Sequence, residues 1–346
     1  MGNRMRLWSL WFHPQIPYLI LWIAAWVAGL FLPEQDSSPW IFLPFFLSLV
    51  AFGLPHGALD DTVFLHFKNQ DQPSPQRKAL FYLYYLGLIF LYLGFWFFYP
   101  VLSLLFFLSI TWIHWGQGAL HTLKTIYRIR YLDNLFLSAV SLVIRGGLPI
   151  FLTFLCYPET YLRVTQCTLQ IFTSLPPLIA SGILESLPFL FLFFLAILLI
   201  YILQVTLGQE NLLKSGSLLD VGEILFLFGF FTTLHPLYSV GLYFCLWHSL
   251  RHLARLESWI PQQGPPDSRR FPGFPYATLR KSIPNTLLSL LGIIILYGVG
   301  TLATLTFSSL LGMYLVLISI LTLPHLGVVI WMDFQESNFW KEKKQY

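Results

Sequence analysis

Long apolar runs alternate with short polar segments along most of this chain. A run of about 20 predominantly apolar residues is long enough to cross the hydrocarbon of a bilayer as a helix. The apolar runs predict spans at Pro17–Leu32, Trp40–Phe67, Leu80–Phe98, Val101–His121, Leu132–Phe154, Leu187–Val205, Val221–Thr233, Leu237–Leu256, Thr286–Phe307 and Leu311–Met332. The pattern therefore predicts an all-α protein, a polytopic integral membrane bundle of about ten transmembrane helices.

The basic residues are distributed asymmetrically among the loops. They precede the first span, follow spans two, four, six and eight, and close the chain, whereas the intervening loops carry little positive charge. Because lysine and arginine gather on cytoplasmic loops, both termini are predicted to be cytoplasmic. We expect a multi-pass protein of the prokaryotic cell (inner) membrane.

The composition supports the membrane assignment. Hydrophobic residues make up 56% of the chain and charged residues 10%, with a mean hydropathy of +0.67, against roughly 25% charged residues in a soluble domain. The net charge of +4 is small and lies in loops, so it indicates orientation and no nucleic-acid surface. Three cysteines without CxxC spacing favour neither a disulfide framework nor a thiolate metal site.

We interpret residues 1–346 as one membrane domain, whose histidine-bearing region is 51–333. Two stretches between the spans are not expected to cross the bilayer. The segment from Cys156 to Ser186 is apolar but interrupted by prolines, so we expect it on the outer surface or as a short re-entrant helix. Residues 259–284 include PQQGPPDSRRFPGFP, which is typical of a Pro/Arg-rich cytoplasmic connecting loop.

Histidines recur inside the predicted spans, although an imidazole is costly in hydrocarbon unless something binds it. They are His56, His114, His248, His252 and His325. All lie on even-numbered spans, close to the cytoplasmic ends, which at about 1.5 Å per residue places them in one slab about 10 Å thick. A common depth allows one shared site.

The spacing of His248 and His252, four residues apart, places both imidazoles on one helix face, where they can bind a single ion. His56 and His114 could complete the site from neighbouring helices, and neutral imidazoles suit iron, copper, zinc or nickel. Asp60, which lies four residues after His56, and Glu223 are candidate outer partners that orient the rings. The alternative is that each histidine bonds a backbone carbonyl across helices.

The residues beside these histidines suggest a pocket. Gly53, Pro55 and Gly57 should interrupt the second span around His56, and such breaks are tolerated where they line a cavity. Tryptophans flank the proposed ligands at positions 112, 115 and 247. Trp112, Trp115 and Trp247 could line a tunnel for a flat, conjugated, apolar substrate, which Gly116→Leu should narrow beside the metal.

The strings GLPHGALDD, IHWGQG and WHSLRH, in this order on polytopic helices, resemble the Brp/Blh family of β-carotene 15,15′-dioxygenases over roughly Ala51 to Asp333. The resemblance implies that His56, His114, His248 and His252 bind the metal, a non-haem Fe(II). His325 in LPHLG is similar to a further histidine of the family.

The resemblance further implies oxidative cleavage of the central 15,15′ double bond of β-carotene by O₂ into two molecules of retinal. Membrane lipid surrounds such a protein, and a rhodopsin apoprotein is the expected acceptor of retinal. Other classes remain open. A di-iron desaturase would need about eight histidines, a cytochrome b would pair histidines on facing helices, and a carotenoid- or retinal-handling accessory or a metal transporter would not be an enzyme.

Overall fold

The protein is all-helical throughout the part of the chain that this computed structural model describes, which comprises residues 15–32, 39–47, 52–65, 74–173, 177–208, 216–257, 276–302 and 307–343. The α-helices are α1 (Gln15–Leu30), α2 (Pro39–Leu47), α3 (Leu54–Gly57), α4 (Asp60–Leu65), α5 (Pro75–Phe98), α6 (Pro100–His121), α7 (Leu135–Gly147), α8 (Thr153–Cys156), α9 (Pro158–Leu169), α10 (Pro177–Leu207), α11 (Ser217–Thr233), α12 (Pro236–Leu242), α13 (Leu250–Glu257), α14 (Tyr276–Leu302) and α15 (Phe307–Lys343). Wider π-helical turns at Thr122–Ile126, Leu148–Leu152 and Tyr243–Ser249 extend or join several of them.

Five helical stretches within the described residues are long and apolar enough to cross a membrane. They are Pro75–Phe98, Pro100–Ile126, Leu135–Cys156, Leu184–Leu207 and Leu311–Glu336. These correspond to the predicted spans three, four, five, six and ten. The other predicted spans are shorter, broken or only partly described, so a total of about ten crossings and the placement of the termini stay predictions.

The second predicted span is interrupted close to Gly53, Pro55 and Gly57, as the sequence predicted. Helix α3 ends at Gly57, a turn covers residues 58 and 59, and α4 starts at Asp60. The side-chain amide of Asn285 on α14 donates a hydrogen bond of 2.7 Å to the carbonyl oxygen of Ala58. A backbone acceptor freed by the break is therefore satisfied by a neighbouring helix, as an apolar environment requires.

Helices α6 and α7 pack at very close range. A methyl group on Gly116 would lie 2.2 Å from the carbonyl oxygen of Leu142, and one on Gly146 would lie 1.9 Å from that of Trp112. These two glycines let the backbones of α6 and α7 come into contact. Helices in a membrane associate through such close packing, because the hydrophobic effect does not drive them together in lipid. Gly116 lies in this helix contact, so a larger residue there would meet the backbone of α7, and the prediction that it narrows a substrate tunnel is wrong.

The segment between Cys156 and Ser186 contains the short helix α9, which packs on α15. At this contact a methyl group on Gly312 would come within 2.1 Å of the carbonyl oxygen of Cys167. Residues 258–275, the main part of the predicted Pro/Arg-rich loop, lie outside the described residues. Residues 276–284 belong to α14, so the loop prediction extended too far; Pro284 is accommodated inside that helix.

Candidate metal centre

Each of the five histidines is buried, and they come from five helical segments. His56 lies on α3, His114 on α6, His248 in the π-helical segment before α13, His252 on α13 and His325 on α15. None is more than 7% exposed. The structure thus brings together residues separated by up to 269 positions of sequence, in a region where imidazoles have no access to bulk water.

The rings form one cluster. The centroid of the His56 ring lies 5.6 Å from those of His248 and His252, and 4.7 Å from that of His325. The His114 ring lies 4.6 Å from His248, 5.0 Å from His325 and 6.5 Å from His252. One nitrogen from each of His56, His114 and His325 can be chosen so that all three lie within 4.8 Å of one another.

The closest contact in the cluster joins the Nε2 atoms of His114 and His248, which are 3.0 Å apart. Two lone pairs repel at this distance, so either one nitrogen carries a proton or both face a shared cation. At a metal–nitrogen distance of about 2.1 Å, two ligands at right angles lie about 3.0 Å apart. The His114–His248 spacing therefore fits two ligands of one ion, and it equally fits an N–H···N hydrogen bond between the rings.

Several ring nitrogens in the cluster are buried without a hydrogen-bond partner among the described residues. They are Nδ1 of His56, Nδ1 of His114, Nε2 of His252 and Nε2 of His325. Burying a polar atom unpaired costs free energy, and buried polar atoms in native proteins are almost always satisfied. A divalent transition metal among the rings would satisfy those nitrogens that face it, and the donor set of neutral imidazoles fits iron, copper, zinc or nickel.

Asp60 contacts the cluster through His325. Its two carboxylate oxygens lie 2.9 and 3.0 Å from Nδ1 of His325, and Tyr85 on α5 donates a hydrogen bond of 2.9 Å to Oδ2. The expectation that Asp60 orients His56 or a neighbouring ring was based on their four-residue spacing. Because the helix breaks between them, the carboxylate faces the neighbouring ring.

Glu223 does not contact the rings, although the sequence suggested it as an outer partner. It accepts hydrogen bonds from Arg145 at 2.8 Å and from Arg251 at 3.1 and 3.3 Å. Arg251 lies between His248 and His252 in the chain, and its guanidinium stacks 4.0 Å from the Trp247 ring centroid. Glu223 therefore anchors the segment that carries the histidine pair.

Arg145 and Asp220 were missed by the sequence analysis. Both side chains are fully buried and form an ion pair, and the carboxylate also accepts hydrogen bonds from the hydroxyls of Tyr131 and Tyr201. An arginine inside the apolar string SLVIRGGLPI was the available signal, since intramembrane charges are rare and paired.

A cavity of about 490 Å³ opens beside the cluster. His56, His114 and His325 form part of its wall, and the rest is mainly apolar and aromatic, including Phe107 and Phe244. Residues of α9 line it as well, so the proline-rich segment after Cys156 contributes to the pocket. Its size and lining are typical of a site for an apolar small molecule.

The three tryptophans predicted to line a tunnel occupy different surroundings. Trp115 lines the cavity and lies 6.1 Å from the His248 ring. Trp112 instead donates a hydrogen bond to the carbonyl oxygen of Val143, and Trp247 packs edge-on against Trp22. Neither Trp112 nor Trp247 is among the described residues that line this cavity, and the prediction that they line a substrate tunnel stays a prediction.

A second group of possible ligands comprises His121, Asp333 and Glu336. Arg255 forms ion pairs with both carboxylates, at 2.5 and 3.0 Å. These carboxylates already have a cationic partner, and the group is only half-buried. The five-histidine cluster is therefore the stronger candidate for a metal.

The similarity to known proteins covers the part of the chain that carries the five histidines. Residues 47–333 match the family described as Beta-carotene 15,15′-dioxygenase. A Halobacterium salinarum protein named Probable beta-carotene 15,15′-dioxygenase Blh is 33% identical over 325 residues, which is 90% of each chain. A second protein of that organism, named Probable beta-carotene 15,15′-dioxygenase Brp, is 24% identical over 212 residues, 61% of this chain and 57% of its own. No solved structure matches the chain significantly.

Proposed function

Because the chain belongs to the beta-carotene 15,15′-dioxygenase family and is a carotenoid-cleaving dioxygenase, we propose that it cleaves β-carotene at the 15,15′ double bond inside a prokaryotic cell membrane. We further propose that a single non-haem Fe(II) is held by His56, His114, His248 and His252. In the overall reaction one C=C bond breaks and two C=O bonds form, so that one carotene and one O₂ give two molecules of retinal.

The observation that carries this proposal is the contact between the histidine cluster and the large apolar cavity. A C40 hydrocarbon has no polar handle, so it partitions into the bilayer and must be bound through apolar surface. The cavity supplies such surface, and three of the cluster histidines lie in its wall. A polyene in the cavity would therefore be presented to the imidazole cluster.

Fe(II), when bound, supplies the activation of O₂, which is chemistry that side chains do not provide. The residues of the chain bind the polyene, exclude water and fix the ion. Phe107, Trp115 and Phe244 provide aromatic surface along the cavity. The described residues that line it include no lysine or arginine, so this part of the wall offers no cationic partner to an anionic competitor.

The segment with the histidine pair is held from outside the site. Glu223 bonds Arg251, and Arg251 stacks on Trp247, which immediately precedes His248. This arrangement restricts the rotation of the segment and keeps His248 and His252 directed into the cluster. Precise support of this kind is what allows ligands to hold an ion in an open, reactive geometry.

The test is expression in a β-carotene-producing host. We expect the orange cells to bleach and to yield retinal as the main product, whereas cells carrying His248→Ala stay orange. His121→Ala, which alters a histidine of the second group, is the matched control and should still bleach. Cells that stay orange with the unaltered protein would contradict the cleavage proposal and favour a carotenoid-handling accessory.

Metal analysis tests the second part independently. The purified protein should contain one iron per chain and no haem absorption. Two irons per chain would indicate a desaturase-like centre, and haem bands would indicate a cytochrome. Either result would contradict the mononuclear site.

A further inference from the structure

We propose that His325 is a fifth protein ligand of the metal centre, and that Asp60 and Tyr85 hold it in its metal-binding tautomer. The proposal rests on the proposed iron function and concerns residues that the four-histidine site does not use. It assigns a role to the Tyr85–Asp60–His325 chain, which runs from the cavity wall into the histidine cluster.

The position of His325 is the first argument. Its ring centroid lies 4.7 Å from that of His56, 5.0 Å from His114 and 5.2 Å from His252. His248 and His252 are both farther from His56, at 5.6 Å. An ion bound between His56 and the helical pair would therefore also be within reach of His325.

The hydrogen bonds of the ring are the second argument. An ionised carboxylate only accepts hydrogen bonds, so Asp60 fixes the proton of His325 on Nδ1 and leaves a lone pair on Nε2. That Nε2 atom is buried and has no partner among the described residues. A histidine that donates one N–H to a carboxylate and offers its other nitrogen to an ion is the usual arrangement at metal sites.

The burial of Asp60 is the third argument. This carboxylate is 3% exposed, and the two groups that bond it, the Tyr85 hydroxyl and the His325 ring, carry no full positive charge when the ring is neutral. A buried carboxylate is costly unless a cation compensates it. An ion on Nε2 of His325 would place that cation across the ring from Asp60.

The adjacent pair, Asp61 and Tyr82, provides a matched comparison. Tyr82 donates a hydrogen bond of 2.8 Å to Oδ2 of Asp61, as Tyr85 does to Asp60. The carboxylate of Asp61 also accepts a hydrogen bond from the hydroxyl of Thr62, and it bonds no histidine among the described residues. Changes at Asp61 and Tyr82 therefore remove the same chemical groups from the same helices without touching the ligand chain.

The experiment measures Fe(II) affinity and metal geometry, both independent of turnover. The purified full-length protein and the variants His325→Ala, Asp60→Asn and Tyr85→Phe are titrated anaerobically with Fe(II) against a chromogenic chelator. The same proteins are loaded with Co(II), whose visible absorption reports the number of ligands. Asp61→Asn and Tyr82→Phe serve as controls, and gel filtration in detergent checks that each variant is folded.

We expect Asp60→Asn to weaken Fe(II) binding by about 10- to 100-fold, the usual range for an outer partner of a metal ligand. His325→Ala should weaken it further and alter the Co(II) spectrum, Tyr85→Phe should weaken it less, and both controls should match the unaltered protein. Unaltered affinity and an unaltered Co(II) spectrum in His325→Ala would overturn the proposal. If that variant is not folded, unaltered Fe(II) affinity in Asp60→Asn would overturn it.

These outcomes are distinct from failure of the proposed function. If the unaltered protein binds no iron, the iron centre itself is wrong and the proposal falls with it. If His248→Ala loses iron while His325→Ala and Asp60→Asn retain it, the four-histidine site stands and the fifth ligand is refuted.

Discussion

Replacing Asp220 by asparagine is expected to lower the free energy of unfolding by about 3 kcal/mol, because it leaves a buried guanidinium without its nearest carboxylate. Asp220 and Arg145 are both 0% exposed and form an ion pair. Asparagine keeps the shape of the side chain and one acceptor oxygen. The hydroxyls of Tyr131 and Tyr201 therefore lose less hydrogen-bond energy than Arg145 loses in ion-pair energy.

The magnitude follows from the burial of both partners. Removing one member of a buried pair costs about 3 to 5 kcal/mol, since the other charge stays desolvated. Arg145 retains a second contact, with Glu223 at 2.8 Å, which places the cost at the lower end. A loss of about 3 kcal/mol corresponds to more than a 100-fold shift in the unfolding equilibrium.

The assay is reversible unfolding of the purified protein in mixed detergent micelles, followed by helix content. Asp333→Asn is the control, because Asp333 is 33% exposed and Arg255 keeps its second partner Glu336, so a partly solvated carboxylate is lost where Asp220→Asn removes a fully buried one. If Asp220→Asn costs no more than Asp333→Asn, the reasoning that burial determines the value of these pairs is refuted.

Further variants and a metal-removal test probe the site and its packing. His252→Ala should abolish retinal formation without preventing membrane insertion, because insertion depends on summed apolarity; near-normal retinal production would make this histidine structural. Gly116→Ala should destabilise the protein, since its methyl group would lie 2.2 Å from a backbone oxygen, whereas Gly118→Ala meets only ordinary contacts of 3.5 Å or more; equal melting temperatures would contradict this. Val164 lines the cavity, so Val164→Trp should fill part of the cavity and reduce the yield of retinal without changing the iron content. Loss of iron in this variant would show that the substitution disturbs the metal centre. Chelation should remove activity and added Fe(II) should restore it, so activity that survives metal depletion would refute a metal requirement.

The sequence predicts the parts of this fold that depend on local composition. The length of the apolar runs located the long helices, and the Gly-Leu-Pro-His-Gly string located the break before Asp60. The helical class needed no tertiary information, because an apolar segment in lipid must satisfy its backbone internally.

The details that sequence reasoning missed depend on the direction of side chains across helices. The four-residue spacing of His56 and Asp60 suggested a shared face, but the turn between them changes that direction. Trp112 precedes His114 by two positions, about 200° around the helix, so proximity in the chain did not mean proximity at the cavity. The pairing of Glu223 with two arginines likewise required knowing which helices are neighbours.

The π-helical segment Tyr243–Ser249 makes this protein sensitive to changes in chain length at its centre. A π-turn accommodates an additional residue, and each residue of an α-helix corresponds to about 100° of rotation. Deleting one residue there would restore a regular helix and leave α12 and α13 nearly in register, but it would change the direction in which the residues of the segment, including His248, project. A single-residue deletion in this segment should therefore impair the site without removing any histidine.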